Sequence, residues 1–597
     1  MANQLQHSVC RKTGLWLAVG TVLFVAGWRL VVIACQPPHI MDIATEIGSI
    51  AEFGQGSSQG GSGILFPNNG GTALTFFRMT ETGLGSYFCN AGAGGCKLLF
   101  ELSEDGYDLN FGMLGWSSDD KFFACLVPTK PDRSKKEILI YDGATGERRA
   151  GIPGQNYFGY SRFVWLSPRS FIYTSQNQNL ILVEQSPDGQ WLQRLGGSLR
   201  GLFAKEPPDD AMKHLLATSE HSFAWQQPGE LWTYDLQSGA GGKIWESATE
   251  QLEDFSFDQE TGEFELTCAV YDSPYHYHAA DLIFYRLRPP DKSLSRDGRL
   301  TRIPRDSRLR YADLSEDEGL YVFSIKAHRD SKPQLFTWEG MVQTYKLAGN
   351  SFFFTANLPG QPPALWCYDL DAQDARELVP STKEQLKYAQ ISNPSGGTVT
   401  NAMGDRVRYH LWQPPQVSPG RKYPLLIGQT QYSFDAWFPC QQVAVNAGFY
   451  FATADRLSWY DGFDKWEPDV MALYDLLVKN PCIDTNRIYI CGLSGETHLV
   501  PRLIADKPDL WKGAVLFELV ARMPDVSKSH LTRIFAVSGR VVYTGDVPQI
   551  LKGEDESARA GVPVQLVLQD GVQHFMRSIA TERERTRQFA HFLVESE

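Results

Sequence analysis

One short frame recurs three times in the chain, and its spacing restricts the possible folds more than any other feature. Ile138-Leu139-Ile140-Tyr141-Asp142, Leu231-Trp232-Thr233-Tyr234-Asp235 and Leu365-Trp366-Cys367-Tyr368-Asp369 share an aliphatic residue, two variable positions, Tyr and Asp. Turn residues such as Gly146 or Gly239 follow. Leu282-Ile283-Phe284-Tyr285 is a worn fourth copy. The Asp-to-Asp intervals are 93 and 134 residues, two and three times a period of about 45, the length of one four-stranded propeller blade. Between the copies lie stretches such as "WSSDDKFFACLV" (116–127) and "LSEDEGLYVFSI" (314–325), each a polar turn followed by a strand-like apolar run. Residues 65–390 are therefore expected to form an all-β propeller of seven or eight blades. Stacked sandwiches are the alternative, but they require no common period. The tyrosines and tryptophans of the frame are expected to pack between blades.

Composition agrees with short strands and many turns: of 597 residues, 12% are aromatic, and there are 53 Gly and 33 Pro. The length exceeds one ordinary core, so several domains are expected. The net charge of −13 is spread without long runs, which excludes a nucleic-acid partner, because phosphate binding needs clustered Lys and Arg. The ten cysteines include no C-x-x-C pair, so neither a zinc site nor a dense disulfide framework is indicated; no metal and no cofactor is expected. Cys89 and Cys96 are close enough to close a small loop in an oxidising compartment; two unpaired thiols are the other reading.

Residues 14–34, "GLWLAVGTVLFVAGWRLVVIA", form an apolar stretch after Arg11 and Lys12, about the ~20 residues needed to cross a bilayer. Arg29 lies six residues from its end, within reach of the interface. The basic residues ahead of the span predict a cytoplasmic tail (1–13), a transmembrane or signal segment (14–34) and export of the remainder. A cleaved signal peptide is one rival, although its apolar region is usually shorter. The other is a lipoprotein signal at Val32-Ile33-Ala34-Cys35, anchored through Cys35. Residues 36–64, containing "GQGSSQGGSG", have linker composition.

Beyond residue 390 the pattern changes to that of a parallel α/β sheet. Strands are expected at 423–428, 449–455, 487–492, 512–517, 533–539 and 562–569. Val470, Leu473, Tyr474, Leu477 and Val478 mark one face of a helix after Pro468. In "ICGLSGETHLV" (490–500) a strand runs into Gly492-Leu493-Ser494-Gly495, the outline of a nucleophile elbow. Glu496 takes the place of the second glycine, and Pro501 sits where a helix should follow.

The segments "KYPLLI", "VKNPCIDTNRIYICGLSG", "KPDLWKGAV" and "AGVPVQLVLQDGVQHF" resemble, in the same order, those of the prolyl oligopeptidase family of serine peptidases. That resemblance implies an α/β-hydrolase domain at 391–597 behind the propeller. It implies Ser494 as nucleophile and His574 as general base. The family's acid position holds Val542 here; Asp546, on the same loop, is the nearest replacement, with a helix cap as its other reading. The oxyanion donors implied are the Gly495 N–H and a group after the first strand, where "GQTQYSF" has Thr430 at the usual place and Tyr432 two residues on. Tyr432 is read either as a donor or as a packed aromatic. His498 is expected on a helix side, turned from the tip. Glu496 is expected to oppose an oxyanion unless it points to solvent. The function implied is a membrane-anchored, exported serine hydrolase cleaving short peptides through an acyl-enzyme on Ser494. A catalytically inactive relative that binds a peptide or partner is the alternative, and an esterase-like hydrolase is a third reading.

Overall fold

The computed structural model describes residues 40–50, 65–92, 95–103, 112–129, 136–154, 163–174, 179–198, 213–227, 229–258, 261–270, 281–288, 293–300, 311–317, 320–326, 334–339, 342–356, 361–381, 386–429, 439–454, 463–517, 531–539, 547–569 and 578–595. Among these, seven antiparallel sheets follow one another from Leu65 to Val379, six of four strands and one of three. Each copy of the recurrent frame is the third strand of its sheet. Lys136–Asp142 belongs to the second sheet, Glu230–Asp235 to the fourth, Asp281–Arg288 to the fifth and Ala364–Asp369 to the seventh. The 93- and 134-residue intervals thus count two and three sheets.

The frame's conserved-looking chemistry has a local cause. Its Asp closes the turn to the fourth strand. Asp142 Oδ1 accepts from the N–H groups of Ala144 (3.0 Å) and Thr145 (2.9 Å), and Asp369 Oδ1 from those of Asp371 (2.9 Å) and Ala372 (3.0 Å). Its Tyr packs toward the preceding sheet: Tyr368 stacks on Phe336 at 4.2 Å, and Tyr141 stacks on Phe123, which stacks on Phe88 of the first sheet.

The first and last sheets meet side by side. Leu65, Leu74 and Phe76 share one apolar cluster with Ala348, Phe353, Leu365 and Val379. Arg78 Nη2 donates to the Pro380 carbonyl at 3.1 Å, and Arg376 donates to that of Ala91. The turns at Gly71 (φ +69°) and Gly349 (φ +51°) interlock here. A Cβ on Gly71 would run into the Ala348 carbonyl, and one on Gly349 into that of Gly70. Cys89 and Cys96, directly opposed on paired strands with Cα atoms 4.4 Å apart, form a disulfide. The six other described cysteines are thiols outside any disulfide.

Residues 395–569 build an eight-stranded sheet in the order Ser395–Thr400, Arg406–Trp412, Tyr450–Ala454, Tyr423–Gln429, Ile483–Leu493, Gly513–Phe517, Arg533–Gly539, Val564–Gln569. The last six are parallel, and the first two pair antiparallel. Side chains alternate between two buried faces. Leu425, Ile427, Ile488, Ile490, Ile534 and Ala536 face the Phe463–Leu477 helix, through Trp466, Val470 and Leu473. Leu426, Tyr489, Val515, Phe535 and Val537 face the helices Pro439–Asn446 and Ile579–Val594.

Three features differ from the sequence expectation. The Phe463–Leu477 helix starts five residues before Pro468 and carries it inside. The two antiparallel strands, short and half polar, escape the search for apolar runs. Most consequentially, Ile40–Gly48, within the stretch expected as linker, is a helix. Its Ile43, Ala44 and Ile47, at helical spacing, are buried against Phe589, Ala590 and Leu593. Thr586 Oγ1 donates to the Ala44 carbonyl at 2.8 Å, and Glu46 Oε2 accepts from the backbone N–H groups of Lys387, Tyr388 and Ala389 at 3.0, 2.8 and 3.1 Å. No helix among the described residues is long and apolar enough to cross a membrane, and the 14–34 stretch lies outside them.

The helix crossing at Gly48 is tight: a Cβ there would lie 2.6 Å from Arg583 Cα and against Thr586 Oγ1. Gly48→Val is therefore expected to cost on the order of 1–3 kcal/mol by overpacking, read as a fall of the melting temperature. Gly242→Ala, where nothing lies within 4 Å, should leave it unchanged. Equal melting temperatures for Gly48→Val and the wild type would show that the N-terminal helix does not dock as described.

Candidate active site

The elbow is built by close backbone approach. Strand Ile483–Leu493 ends with Leu493 extended (φ −121°, ψ 130°), and Ser494–His498 then makes a 3₁₀ turn that hands over at Leu499 to the helix Val500–Asp506. The returning chain passes over Gly492, where a Cβ would stand 2.8 Å from Val500 Cγ2 and 3.1 Å from the Glu496 carbonyl. On the neighbouring strand a Cβ at Gly428 would collide with Cys491, lying 2.6 Å from its carbonyl oxygen. Pro501 falls in the first turn of the second helix, where a missing N–H breaks no bond. It divides the expected helix into a 3₁₀ turn and an α segment. His498, at the end of the turn, is exposed.

Glu496 is the surprise of the site. It does not point to solvent: the side chain is buried, and Oε2 has no hydrogen-bond partner among the described residues. Burial pushes its pKa well above the carboxylate range. The neutral, protonated form is favoured, so Glu496 is not the anion that its position in the sequence suggested. The Cys491 thiol beneath it is also pushed up by burial, which keeps it unreactive.

Parallel pairing sets what else reaches this place. Gln429 is in register with Gly492, Leu493 with Phe517, Leu516 with Ala536, and Gly539 with Gln569. The segments 430–438, 494–498, 540–546 and 570–577 therefore all leave one edge of the sheet, the carboxyl edge where open α/β sheets bind ligands. The last of these is held at both ends. Gln569 Nε2 donates to the Thr581 carbonyl at 3.2 Å, and Ser578 caps the following helix by accepting from the Thr581 N–H at 3.0 Å. The orphan N–H of Ile579 donates to the Thr80 carbonyl at 2.8 Å, while Arg583 pairs with Glu81 at 2.8 Å. A turn of the first propeller sheet is thus docked beside the carboxyl edge.

No family model matches the chain, and no curated protein matches it. Solved structures do. A puromycin-hydrolyzing peptidase of Mycobacterium tuberculosis superposes with a TM-score of 0.61 at 12% identity, over 94% of this chain and 96% of that one. The acylaminoacyl peptidase of Pyrococcus horikoshii gives 0.59 at 11%, over 89% and 95%. Prolyl oligopeptidase B from Galerina marginata gives 0.58 at 13%, over 93% and 90%. The chain has the prolyl oligopeptidase fold.

A β-propeller followed by a hydrolase-type sheet is what that fold requires, and both are present. Of the residues that the sequence singled out, the backbone of Ser494 stands at the elbow tip, opening the 3₁₀ turn. Gly495 is buried as the next residue of the turn. Tyr432, Asp546 and His574 lie outside the described residues, as do Thr430 and Val542. Asp546 immediately precedes the helix Val547–Arg559, so its roles as orienting acid and as cap both stand. Among the described residues no three His, Cys, Asp or Glu gather as metal ligands. Sequence reasoning missed the closing bond from Gln569 to Thr581 and the burial of Glu496. The apolar residues Leu493, Leu499, Val500 and Leu503 around the latter were the signal for a buried acid.

The sign of the Glu496 effect on stability is fixed. Below about pH 4.3 the carboxyl is protonated in both folded and unfolded chains. As pH rises, the unfolded chain loses its proton first, so the folded state loses stability. Glu496→Gln has no proton to lose. Its melting temperature relative to wild type is expected to rise as the pH increases above about 4.3, whereas parallel profiles would mean a solvated carboxylate. Glu496→Gly leaves a void below the elbow and should lower the melting temperature at every pH.

Proposed function

We propose that the protein is a serine hydrolase of the peptidase type, acting on short peptides through an acyl-enzyme on Ser494. The observation that carries this reading is the elbow at the carboxyl end of the central parallel strand, in a chain whose structural neighbours are peptidases. Ser494 Oγ attacks the peptide carbonyl while His574 takes its proton and returns it to the leaving amine. Water then releases the acyl group by the same proton path in reverse. Gly495 N–H and the Tyr432 hydroxyl donate to the oxyanion, and Asp546 orients the imidazole.

Chain geometry supports these roles. The strands that precede Ser494 and His574 are three places apart in the sheet, roughly 14 Å at ~4.8 Å per strand. Five residues from Gln569 to His574 reach up to about 17 Å. The neutral Glu496 removes one of the three objections raised by the sequence. Val542 at the acid position and Thr430 at the usual oxyanion position remain, and one lost oxyanion donor alone lowers turnover by ~10²–10³. A slow enzyme is the consequence.

The proposal includes residence outside the cytoplasm on a membrane anchor. The Cys89–Cys96 disulfide supports an oxidising compartment, and the 14–34 stretch supports the anchor. Because the docked helix begins at Ile40, only residues 35–39 would separate the hydrolase domain from the bilayer.

Ser494→Ala and His574→Ala are each expected to abolish hydrolysis of peptide and ester substrates without lowering the melting temperature. Asp546→Asn should lower turnover by up to ~10⁴ if the carboxylate orients the base. If wild type and Ser494→Ala are equally inert, the partner-binding reading replaces this one. In fractionation, the full chain should leave the membrane with detergent and not with high salt, and a chain lacking residues 1–35 should be soluble. A soluble full-length chain would contradict the anchor.

A further inference from the structure

The opposite edge of the same sheet holds a cavity of about 1050 Å³ that the proposed reaction does not use. It lies where the strands begin, one strand length from the elbow, between the starts of Gly513–Phe517, Arg533–Gly539 and Val564–Gln569 and one flank of the C-terminal helix. Lys512 and Arg533 line the strand side. Glu584, Arg587, His591 and Glu595, spaced three or four apart, form a stripe on the helix side.

The charges are unequally satisfied. Glu584 accepts from Gln588 Nε2 at 2.6 Å, and Glu595 pairs with Arg533 at 3.4 Å and His591 at 3.4 Å. Among the described residues, Lys512 and Arg587 have no salt-bridge partner. Arg533 lies over the Phe592 ring at 4.1 Å, its side chain only 15% exposed, and its buried Nε–H has no acceptor among the described residues. A buried guanidinium donor left without a partner is costly. Three cations against two acids, on a chain whose total charge is −13, make this a local reversal of sign. A planar guanidinium with two flanking cations suits a phosphate, which carries about −1.5 to −2 charges and several acceptor oxygens.

We propose that this cavity binds a phosphate ester, with Arg533 as the preorganised fork and Lys512 and Arg587 as flanking charges. The volume exceeds that of a bare phosphate, leaving room for the alcohol part of the ester. Met41, in the first turn of the N-terminal helix, is on the cavity wall, seven residues after the apolar stretch ends at Ala34. A chain of that length spans at most about 25 Å. If residues 14–34 are an anchor, a phospholipid headgroup lies within reach of the cavity; a soluble phosphate ester offers the same chemistry. The site stands apart from Ser494, so its fate does not depend on the peptidase reading.

The test uses the full-length protein in detergent. Calorimetric titration with inorganic phosphate, against chloride at equal ionic strength, measures the free ligand. Native mass spectrometry after exposure to mixed phosphatidylglycerol and phosphatidylcholine nanodiscs measures the lipid. One saturable phosphate site, one retained phosphatidylglycerol, or both is the expected result. Lys512→Ala combined with Arg587→Ala, both on exposed side chains, should weaken it at least tenfold with an unchanged melting temperature. Phosphate binding without lipid retention identifies a soluble ester, and lipid retention without phosphate binding identifies the headgroup. Absence of both, or undiminished binding in the double variant, overturns the proposal.

Discussion

Parallel hydrogen-bond register is the constraint on which the rest of the molecule depends. From Tyr423–Gln429 to Val564–Gln569 each strand pairs with its neighbour in one direction, so five chain segments far apart in sequence must leave from one edge. Such a sheet is stable only with both faces covered. The chain meets that need by packing three helices on one face, one of them taken from before the propeller. The N-terminal helix therefore ties the two ends of the polypeptide together, with the propeller carried between them. Docking of the Thr80–Glu81 turn on the first turn of the C-terminal helix then fixes the propeller beside the carboxyl edge.

At the elbow the same economy of space dictates chemistry. The chain reverses over Gly492 and against Gly428, and whatever occupies position 496 is drawn inward by the 3₁₀ turn. A glutamate there faces two opposing effects. Removing a carboxylate from water costs several kcal/mol, whereas a protonated carboxyl costs far less and still accepts hydrogen bonds. The proton therefore stays on. The replacement of glycine by Glu thus shifts the local cost from electrostatics to packing, and it leaves the serine's surroundings less negative than the sequence implies.

Much of the architecture was legible beforehand because it rests on periodic signals. The Tyr-Asp frame reports blade number through spacing, since its Asp closes the turn after the third strand and its Tyr packs toward the neighbouring sheet, as Asp142 and Tyr141 or Asp369 and Tyr368 do. Apolar runs such as Arg533–Gly539 mark buried parallel strands because both faces are covered. Signals that depend on partners far along the chain were not legible. Ile40–Gly48 looked like linker because its apolar face is meaningful only against Phe589 and Leu593, more than 500 residues away. Ser395–Thr400 is the largely exposed rim strand, and Arg406–Trp412 beside it interleaves polar residues with buried Val407 and Trp412, so neither carries an apolar run. Glu496 was read as charged because ionisation depends on burial, which local sequence does not state. In the candidate site the nucleophile's place on a strand end was readable from the Gly-x-Ser outline.

The central claim is that the elbow presents Ser494 as an activated nucleophile. Its most direct test is to treat the protein with a fluorophosphonate and map the adduct by peptide mass spectrometry. The account predicts a single adduct on Ser494, formed slowly, faster as pH rises through the range where an imidazole gives up its proton, and absent in His574→Ala. An unlabelled Ser494, or labelling that persists undiminished in His574→Ala, would contradict it.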